Sequence, residues 1–285
     1  MEVITTPFAM QRWTAAQRSA GHRVGLVPTM GAMHEGHFAL VDRARQTNDR
    51  VVVSIFVNPL QFNRADDFDA YPRPIDDDLA MCRDHGVDAV YAPTVATMYP
   101  TGFETTVEPG ALAEPLEGAG RPGHFRGVTT VVAKLFGAVR PDEAVFGRKD
   151  FQQLAIIRRM TIDLDMGIEI VGLDTVRESD GLAMSSRNRR LTAAQRSAAA
   201  CVPRALSTAA SALAAGHRDA ADLVAAANAV LVDEPSARPE YVAVVDPNTL
   251  QPITRIEAAA LIVTAVWFGE VRLIDNRLLE PVGHS

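Results

Sequence analysis

Two histidines separated by two residues, His34 and His37, are the first side chains in the sequence that could carry chemistry. They stand in a polar loop, residues 28–37, between a short apolar run at 24–28 and an amphipathic stretch that predicts a helix. Such a junction binds ligands in parallel sheets, because the helix N-terminus presents free N–H groups to phosphate. Imidazole N–H groups beside a phosphate can also stabilise the charge that grows in a transition state. Two alternatives stay open here: a helix cap with surface histidines, and a metal pair with a distant third ligand.

A second polar group follows a predicted strand at 144–147. Gly147 permits a tight turn, Lys149 can reach phosphate oxygens as a point charge, and Asp150 can cap the next helix or contact a ribose hydroxyl. Gln153 lies one helical turn further on. A polar helix start without a binding role is the alternative interpretation.

A third group is the run Met-Ser-Ser-Arg at residues 184–187, inside a polar segment that separates two regions of different composition. Two hydroxyls and a guanidinium make a suitable phosphate clamp. An exposed linker is the alternative.

Charge and composition limit the class of protein. The formal net charge of -7 on 285 residues disfavours nucleic acid as a partner. No uninterrupted apolar run reaches the roughly 18 residues of a membrane span, and the N-terminus lacks a secretory signal pattern. We therefore expect a cytoplasmic protein with no membrane partner. Cys82 and Cys201 have neither disulfide nor zinc-site spacing, and we interpret them as buried apolar side chains.

Strand and helix patterns alternate through the first 175 residues. They predict a doubly wound, Rossmann-like parallel sheet, in which the strands at 24–28 and 51–57 are adjacent. Further strands are expected at 89–92, 144–147 and 168–173, and helices at 7–20, 75–85, 128–139 and 151–164. From residue 176 the composition changes to one helix at 193–215, another from 220 to 232, and strands at 241–245, 261–268 and 271–274. We expect a smaller α+β domain at 176–285 that closes over the active site of domain 1–175.

The His34-Glu-Gly-His37 run resembles the nucleotide-binding signature of the adenylyl-transferring superfamily. Residues 184–188 resemble the mobile Lys-Met-Ser-Lys-Ser loop of that superfamily, with the lysines replaced. The order and separation of the three motifs resemble the pantothenate synthetases, and the segments 56–62, 71–73, 124–127 and 176–188 agree. This resemblance extends over nearly the whole chain.

The resemblance implies an ATP-dependent ligase. In that family the carboxylate of pantoate attacks the α-phosphate of ATP and releases pyrophosphate. The amine of β-alanine then attacks the pantoyl adenylate and gives pantothenate and AMP. Catalysis is expected from His37 as proton donor, with His34 and Lys149 stabilising the phosphates. Whether His37 donates as a neutral or a charged ring stays open.

The resemblance also implies the contacts of each substrate. Gln61 and Gln153 are expected to bind pantoate, and Gln61 also to meet β-alanine, since amides can both donate to and accept from hydroxyls. The ATP contacts it implies are Met30, Gly31, Ala32, Met33, His34, Glu35, Gly36, His37, Gly147, Arg148, Lys149, Asp150, Val176, Met184, Ser185, Ser186 and Arg187.

Magnesium and a second subunit are two further expectations from the resemblance. Asp77, in the run Asp76-Asp-Asp78, aligns with a magnesium contact. The alternative is that this acidic run only stabilises the N-terminus of a helix. Relatives are usually homodimers, and we expect the same here.

One residue departs from the family pattern: Arg148 replaces a frequent Glu, and we expect its side chain to face solvent. The nearest rival function is a nucleotidylyltransferase, which uses the same histidine loop but moves AMP onto a phosphate. A tRNA synthetase is disfavoured by the acidic chain, and a non-catalytic nucleotide sensor by the intact His34, His37 and Lys149.

Overall fold

A computed structural model describes residues 1–63 and 68–281. Its internal contacts divide the chain into two compact units. The first unit comprises Met1–Arg148 and Gln152–Asp174, and the second comprises Lys149–Phe151 and Thr175–Ser285. The division falls one residue from the expected boundary at 175/176. It also assigns the three residues Lys149–Phe151 to the second unit, which no feature of the sequence indicates.

In the described part of the first unit, six parallel strands form one sheet in the order β1-β4-β3-β2-β5-β6. The strands are β1 Glu2–Ile4, β2 Val24–Thr29, β3 Arg50–Ile55, β4 Ala89–Tyr91, β5 Glu143–Gly147 and β6 Glu169–Leu173. The predicted pairing of β2 with β3 is confirmed, in register from Val24 with Arg50 to Thr29 with Ile55. The strand order reverses between β2 and β5, which is where ligands bind in open parallel sheets.

The helices of this unit are α1 Pro7–Ser19, α2 Glu35–Arg45, α3 Ile75–Asp84, α4 Val95–Met98, α5 Glu117–Gly120, α6 His124–Val139 and α7 Phe151–Asp163, whose first residue falls in the second unit. The Thr6 hydroxyl caps α1 by accepting a hydrogen bond from Ala9 N, and Pro7 opens the helix, as predicted. Helix α6 begins four residues before its predicted start, after Gly123 in the left-handed conformation. Strand β1 was not predicted, because three residues at a sheet edge carry too little pattern to recognise.

Both faces of the sheet are covered by apolar clusters. One contains the apolar residues of α6 and α7, including Phe136 and Ile157, and the other contains those of α2, including Phe38 and Val41. Because the central strands are buried on both faces, their side chains form continuous apolar runs in the sequence. The predicted doubly wound α/β fold is confirmed.

The second unit holds a three-stranded antiparallel sheet in its described residues, formed by β7 Arg238–Val245, β8 Ala260–Phe268 and β9 Val271–Leu279. Its helices are α8 Ala193–Ala198, α9 Cys201–Ala214 and α10 Ala220–Val232. The predicted capping box of Thr192 and Gln195 is present at the start of α8. The prediction of one helix over 193–215 was wrong: the helix breaks at residues 199–200, because Pro203, in the first turn of α9, has no N–H to donate to Ala199. Among the described helices, none has the length and apolar character needed to cross a membrane.

Candidate active site

The loop after β2 leaves the sheet through two left-handed residues. Gly31 has a φ of 82° and Ala32 a φ of 51°. The Thr29 hydroxyl accepts a hydrogen bond from Gly31 N at 3.1 Å and donates one to Ser54 O at 2.8 Å, which anchors the start of the loop to β3. A left-handed conformation costs an alanine roughly 1 kcal/mol, so other contacts must hold this turn.

Asp78, on the first turn of α3, supplies those contacts. Its carboxylate accepts hydrogen bonds from Ala32 N and Met33 N, both at 2.8 Å, and its side chain is buried. Ala32 and Met33 were both expected to contact ATP. Their N–H groups are directed to Asp78 instead, so a nucleotide would meet these two residues through other atoms. Sequence reasoning missed this role because Asp78 was one of three consecutive acidic residues.

His34 caps α2. Its Nδ1 lies 3.2 Å from the backbone nitrogen of Gly36, which can only donate, so Nδ1 is the acceptor. A neutral ring that accepts at Nδ1 carries its proton on Nε2. The local fold therefore gives His34 a defined tautomer, in which Nε2 is the donor.

His37 lies directly against His34. The ring centroids are 4.0 Å apart with the planes tilted by 35°, and His37 N donates to His34 O at 2.8 Å. Both residues are half-buried at the first turn of α2, whereas Glu35 between them is exposed. The prediction that the two histidines share one face of this turn is confirmed. Two adjacent imidazoles at a helix N-terminus form a compact group that can interact with an anion.

Gln61 reaches the start of the same loop. Its Nε2 lies 3.3 Å from the sulfur of Met30, and its Oε1 accepts a hydrogen bond from Asn58 Nδ2 at 2.9 Å. The hydroxyl of Tyr99 donates to Asn58 Oδ1 at 2.7 Å, which fixes the Asn58 amide and hence that of Gln61. Gln61, which the resemblance assigns to pantoate, thus contacts Met30 in the loop that also carries His34 and His37.

The backbone of Gln61 is held by two residues that sequence reasoning did not assign. Its carbonyl oxygen accepts from His124 Nδ1 at 2.8 Å and from Arg121 Nη2 at 3.1 Å. A Cβ on Gly127 would lie 2.2 Å from Leu60 O, so only glycine allows α6 to pack against this segment. The motif His-Phe-Arg-Gly at 124–127, used only as a mark of resemblance, is therefore what positions Gln61.

Gln152 and Gln153 are neighbours on α7 with different surroundings. Gln152 is buried, accepts from Glu117 N at 3.0 Å, and donates to Leu112 O and Pro115 O at 2.9 and 2.8 Å. Gln153 is half-buried. The structural role thus belongs to Gln152, and the pantoate contact of Gln153 stays a prediction.

Asp77 is exposed on the first turn of α3, beside the buried Asp78. Across residues 1–63 and 68–281, no three side chains of His, Cys, Asp or Glu lie close enough together to hold a metal ion. A magnesium ion that takes one or two carboxylates and completes its shell with phosphate oxygens and water fits Asp77. The metal contact of Asp77 stays a prediction.

In the second unit, Lys149 is fixed through its backbone. Its carbonyl oxygen accepts from Asn276 Nδ2 at 2.9 Å, and its side chain is 16% exposed with Nζ 3.7 Å from Asp150 Oδ2. A cleft in this unit is lined by Lys149, Ser185, Arg187, Asn188 and Asp275. Lys149 therefore shares one cleft with Ser185 and Arg187 of the 184–187 run, although they are far apart in sequence.

Arg148 belongs to the first unit, where Nη1 pairs with Asp174 Oδ1 at 2.7 Å. Its side chain is 45% exposed, in agreement with the expected solvent-facing position. The charge of Arg148 is thus directed to a carboxylate of its own unit.

The segment 176–188 forms a braced hairpin. Met184 N donates to Val176 O at 2.9 Å, and Glu178 N donates to Leu182 O at 2.8 Å. The Ser185 hydroxyl caps the short 3-10 helix Ser186–Arg190 by accepting from Arg187 N at 3.3 Å. This local bonding gives the 184–187 run a defined shape.

Charged residues of the hairpin form ion pairs with Arg196 and Asp275, which lie outside residues 176–188. Glu178 accepts from Asn188 Nδ2 at 2.7 Å and from Arg196 Nη2 at 2.6 Å. Arg196 also pairs with Asp180, and this hydrogen bond holds the pKa of the Asp180 carboxyl below its usual value. A second pair, Arg177 with the buried Asp275, joins the hairpin to β9 at 2.7 Å.

The sheet and the paired histidines at its carboxyl edge are typical of a Rossmann-like α/β protein that binds a nucleotide. Comparison with known proteins is more specific. The family described as Pantoate-beta-alanine ligase matches residues 2–278. The chain belongs to the pantoate–β-alanine ligase family, and it is an enzyme of that family.

Curated relatives agree over the full length. A pantothenate synthetase of Moorella thermoacetica is 50% identical over 98% of this chain and 99% of the relative. One of Sinorhizobium medicae is 52% identical over 99% of this chain and 97% of the relative.

Solved structures agree as well. The pantothenate synthetase of Thermus thermophilus is 46% identical, with a TM-score of 0.90 over 97% of this chain and 99% of that one. The pantoate-beta-alanine ligase of Francisella tularensis, complexed with beta-gamma ATP and β-alanine, is 32% identical, with a TM-score of 0.79 over the full length of both chains.

Proposed function

We propose that this protein condenses pantoate with β-alanine at the expense of ATP, releasing AMP and pyrophosphate. The observation that carries the proposal is the contact of Gln61 with Met30. It places an amide suited to a hydroxy acid against the loop that holds His34 and His37. A nucleotidylyltransferase needs the histidine loop but has no use for this amide.

The first step forms an acyl adenylate. A carboxylate oxygen of pantoate attacks the α-phosphorus of ATP, a new P–O bond forms, and the bond to the pyrophosphate oxygen breaks. His34, with its proton on Nε2, donates a hydrogen bond to phosphate oxygens that gain charge, and His37 acts beside it as the principal donor. Lys149 contributes a positive charge toward the phosphates.

Gln61 selects and orients pantoate. Its amide nitrogen retains one N–H after the contact with Met30, and its Oε1 retains one lone pair after accepting from Asn58. One donor and one acceptor on a fixed amide match a hydroxyl group. Gln153 is proposed as a second pantoate contact, and Gln61 also as a contact for β-alanine.

The second step transfers the acyl group. The unprotonated amine of β-alanine attacks the acyl carbon, the amide bond forms, one amine proton is released to solvent, and AMP leaves with the electrons of the broken mixed-anhydride bond. Because water would hydrolyse the intermediate, we propose that the domain at 176–285 closes over the site, with residues 184–187 covering the phosphates.

Magnesium, subunit state and location complete the proposal. A magnesium ion held by Asp77 would neutralise phosphate charge when bound. We further propose a homodimer in the cytoplasm with small-molecule substrates and no nucleic-acid or membrane partner, based on the family resemblance and the net charge of -7.

Exchange of labelled pyrophosphate into ATP tests the proposal. Exchange that requires pantoate, followed by AMP and pantothenate formation when β-alanine is added, supports the ligase. Exchange that a phosphate-ester acceptor promotes and pantoate does not would instead establish the nucleotidylyltransferase. Binding of ATP without turnover under any of these conditions would favour a nucleotide sensor.

A further inference from the structure

The carboxylate of Asp78 is buried inside the fold, next to the loop that carries the histidines. The side chain is 1% exposed, and its two oxygens each accept one backbone N–H, Oδ2 from Ala32 and Oδ1 from Met33. A buried carboxylate is stabilised only if its charge is compensated by such hydrogen bonds. The interaction connects residues 45 and 46 positions apart in the sequence.

The backbone of the loop is shaped to receive this carboxylate. Gly31 and Ala32 are both left-handed, and the N–H groups of Ala32 and Met33 consequently converge on one point. Converging N–H groups of this kind form a small anion-binding concavity. In a loop that meets ATP, a phosphate would be the expected occupant, but here the protein supplies the anion itself.

The fit between loop and carboxylate is close. A Cβ added at Gly31 would lie 2.7 Å from Asp78 Oδ2 and 3.1 Å from Ile55 Cγ2. Glycine at position 31 is therefore required by conformation and by space. The next residue after Met33 is His34, the cap of α2. The geometry of this turn therefore sets the positions of the His34 and His37 side chains.

We propose that Asp78 is a positioning residue for the reaction, which holds the histidine loop by occupying its anion-binding concavity. The proposal rests on the proposed function, since it assigns the positioned histidines to adenylation. The proposal gives Asp78 a different role from its exposed neighbour Asp77, the predicted metal contact. Both oxygens of Asp78 already accept backbone hydrogen bonds inside the fold.

The test compares two buried carboxylates in the same protein. Asp78→Asn keeps the size of the side chain but directs an amide N–H toward a backbone N–H. Glu143→Gln makes the same chemical change at the amino end of strand β5, away from the histidine loop at the carboxyl ends of the strands. Glu143 is buried and accepts hydrogen bonds from Thr47 and Asn48. Both variants are expected to lower the thermal unfolding midpoint, and only one alters the loop.

We expect Asp78→Asn to lower kcat for pantoate-dependent ATP/pyrophosphate exchange at least about tenfold, because small displacements of catalytic groups have large effects on rate. The KM for pantoate should stay within about threefold, and Glu143→Gln should keep kcat within about twofold. Wild-type kcat in Asp78→Asn, or an equal loss in both variants, would overturn the proposal.

A second readout does not depend on activity. The amide proton signals of Ala32 and Met33 should move upfield in Asp78→Asn and exchange faster with solvent, while those of Glu143→Gln stay as in the wild type. If the wild-type protein shows no pantoate-dependent exchange, the proposed function fails, and unchanged Ala32 and Met33 signals would separately reject the role of Asp78. Should Asp78→Asn not fold, Gly31→Ala displaces the carboxylate from the other side and is expected to give the same selective loss of kcat. Wild-type kcat in that variant rejects the proposal.

Discussion

The side-chain amide of Asn276 donates a hydrogen bond to the main-chain carbonyl of Lys149 at 2.9 Å, across 127 positions of sequence. Asn276 lies in β9 and is buried, and its own backbone nitrogen donates to Asp275 Oδ1 at 2.8 Å. Asp275 in turn pairs with Arg177 of the hairpin. The turn that carries Lys149 is thus tied to the antiparallel sheet of the second unit.

Replacement of Asn276 by alanine should release this turn. We expect kcat for pantoate-dependent exchange to fall about tenfold, because the Lys149 ammonium would no longer be held in one place. Steady-state kinetics of Asn276→Ala measure the effect, and Asn248→Ala, at an exposed turn residue, is the control. A variant with unchanged kcat would show that Lys149 is positioned by other contacts.

The catalytic roles of His37 and Lys149 predict large rate losses. His37→Ala and Lys149→Ala should each reduce the adenylation rate by at least about 10²-fold, the scale for loss of a donor to developing charge. Single-turnover formation of the adenylate is the appropriate measurement.

Matched controls for these two variants exist in the same chain. Lys134, the only other lysine in the sequence, lies over the rings of Tyr99 and Phe103, and His217 is an exposed residue paired with Asp222. Lys134→Ala and His217→Ala should keep the adenylation rate. A wild-type rate in His37→Ala or Lys149→Ala would remove that residue from the mechanism.

Substitution of Gln61 should weaken pantoate binding, whereas substitution of Gln152 should lower the stability of the fold. Gln61→Met should raise the KM for pantoate at least about tenfold with little change in stability, because the amide that meets the substrate is lost. Gln152→Met should leave that KM unchanged but lower the free energy of unfolding by at least about 2 kcal/mol, since one buried and two partly buried backbone groups lose their partner. Pantoate titrations and urea unfolding of both variants measure the two effects. The reverse pattern would exchange the roles assigned here.

The two cysteines should be unreactive in the folded protein. Both are free and buried, and burial raises the pKa of each thiol to about 11, with the charges of Asp78 and Glu234 adding to the effect at Cys82 and Cys201 respectively. At pH 8 only about one thiol in a thousand is then ionised. An aromatic disulfide reagent should react slowly with the native enzyme and rapidly with two thiols after denaturation; fast reaction of the native form would contradict this.

The same pKa shifts predict a loss of stability in alkali. A thiol whose pKa is raised on folding contributes stability that is complete below its unfolded pKa near 9 and declines as the pH rises through about 11. The thermal unfolding midpoint should therefore fall between pH 9 and 11. The double variant Cys82→Ala, Cys201→Ala should show a smaller fall over that range, and an identical fall in both proteins would exclude the thiols as its cause.

Local sequence patterns determined most of the secondary structure, two helix starts and the placement of the two histidines. The alternation of apolar runs and amphipathic stretches predicted the parallel sheet, and the cap at Thr6 and the capping box at Thr192 and Gln195 predicted two helix starts. The spacing of His34 and His37 predicted that they share one helical turn, which the ring contact confirms. These features depend on residues a few positions apart, so the periodicity of helices and strands is enough to reveal them.

Only the tertiary structure decided which polar residues hold the site in place. Asp78 is one of three adjacent aspartates, Gln152 is next to a second glutamine, and Asn276 lies in a strand far from Lys149; none of these choices has a local signal. Each depends on which side chain points inward and which distant backbone group lies within about 3 Å, the distance of a hydrogen bond. The sequence therefore determined the fold and indicated which residues could take part in the chemistry. Long-range hydrogen bonds between buried groups decided how those residues are held.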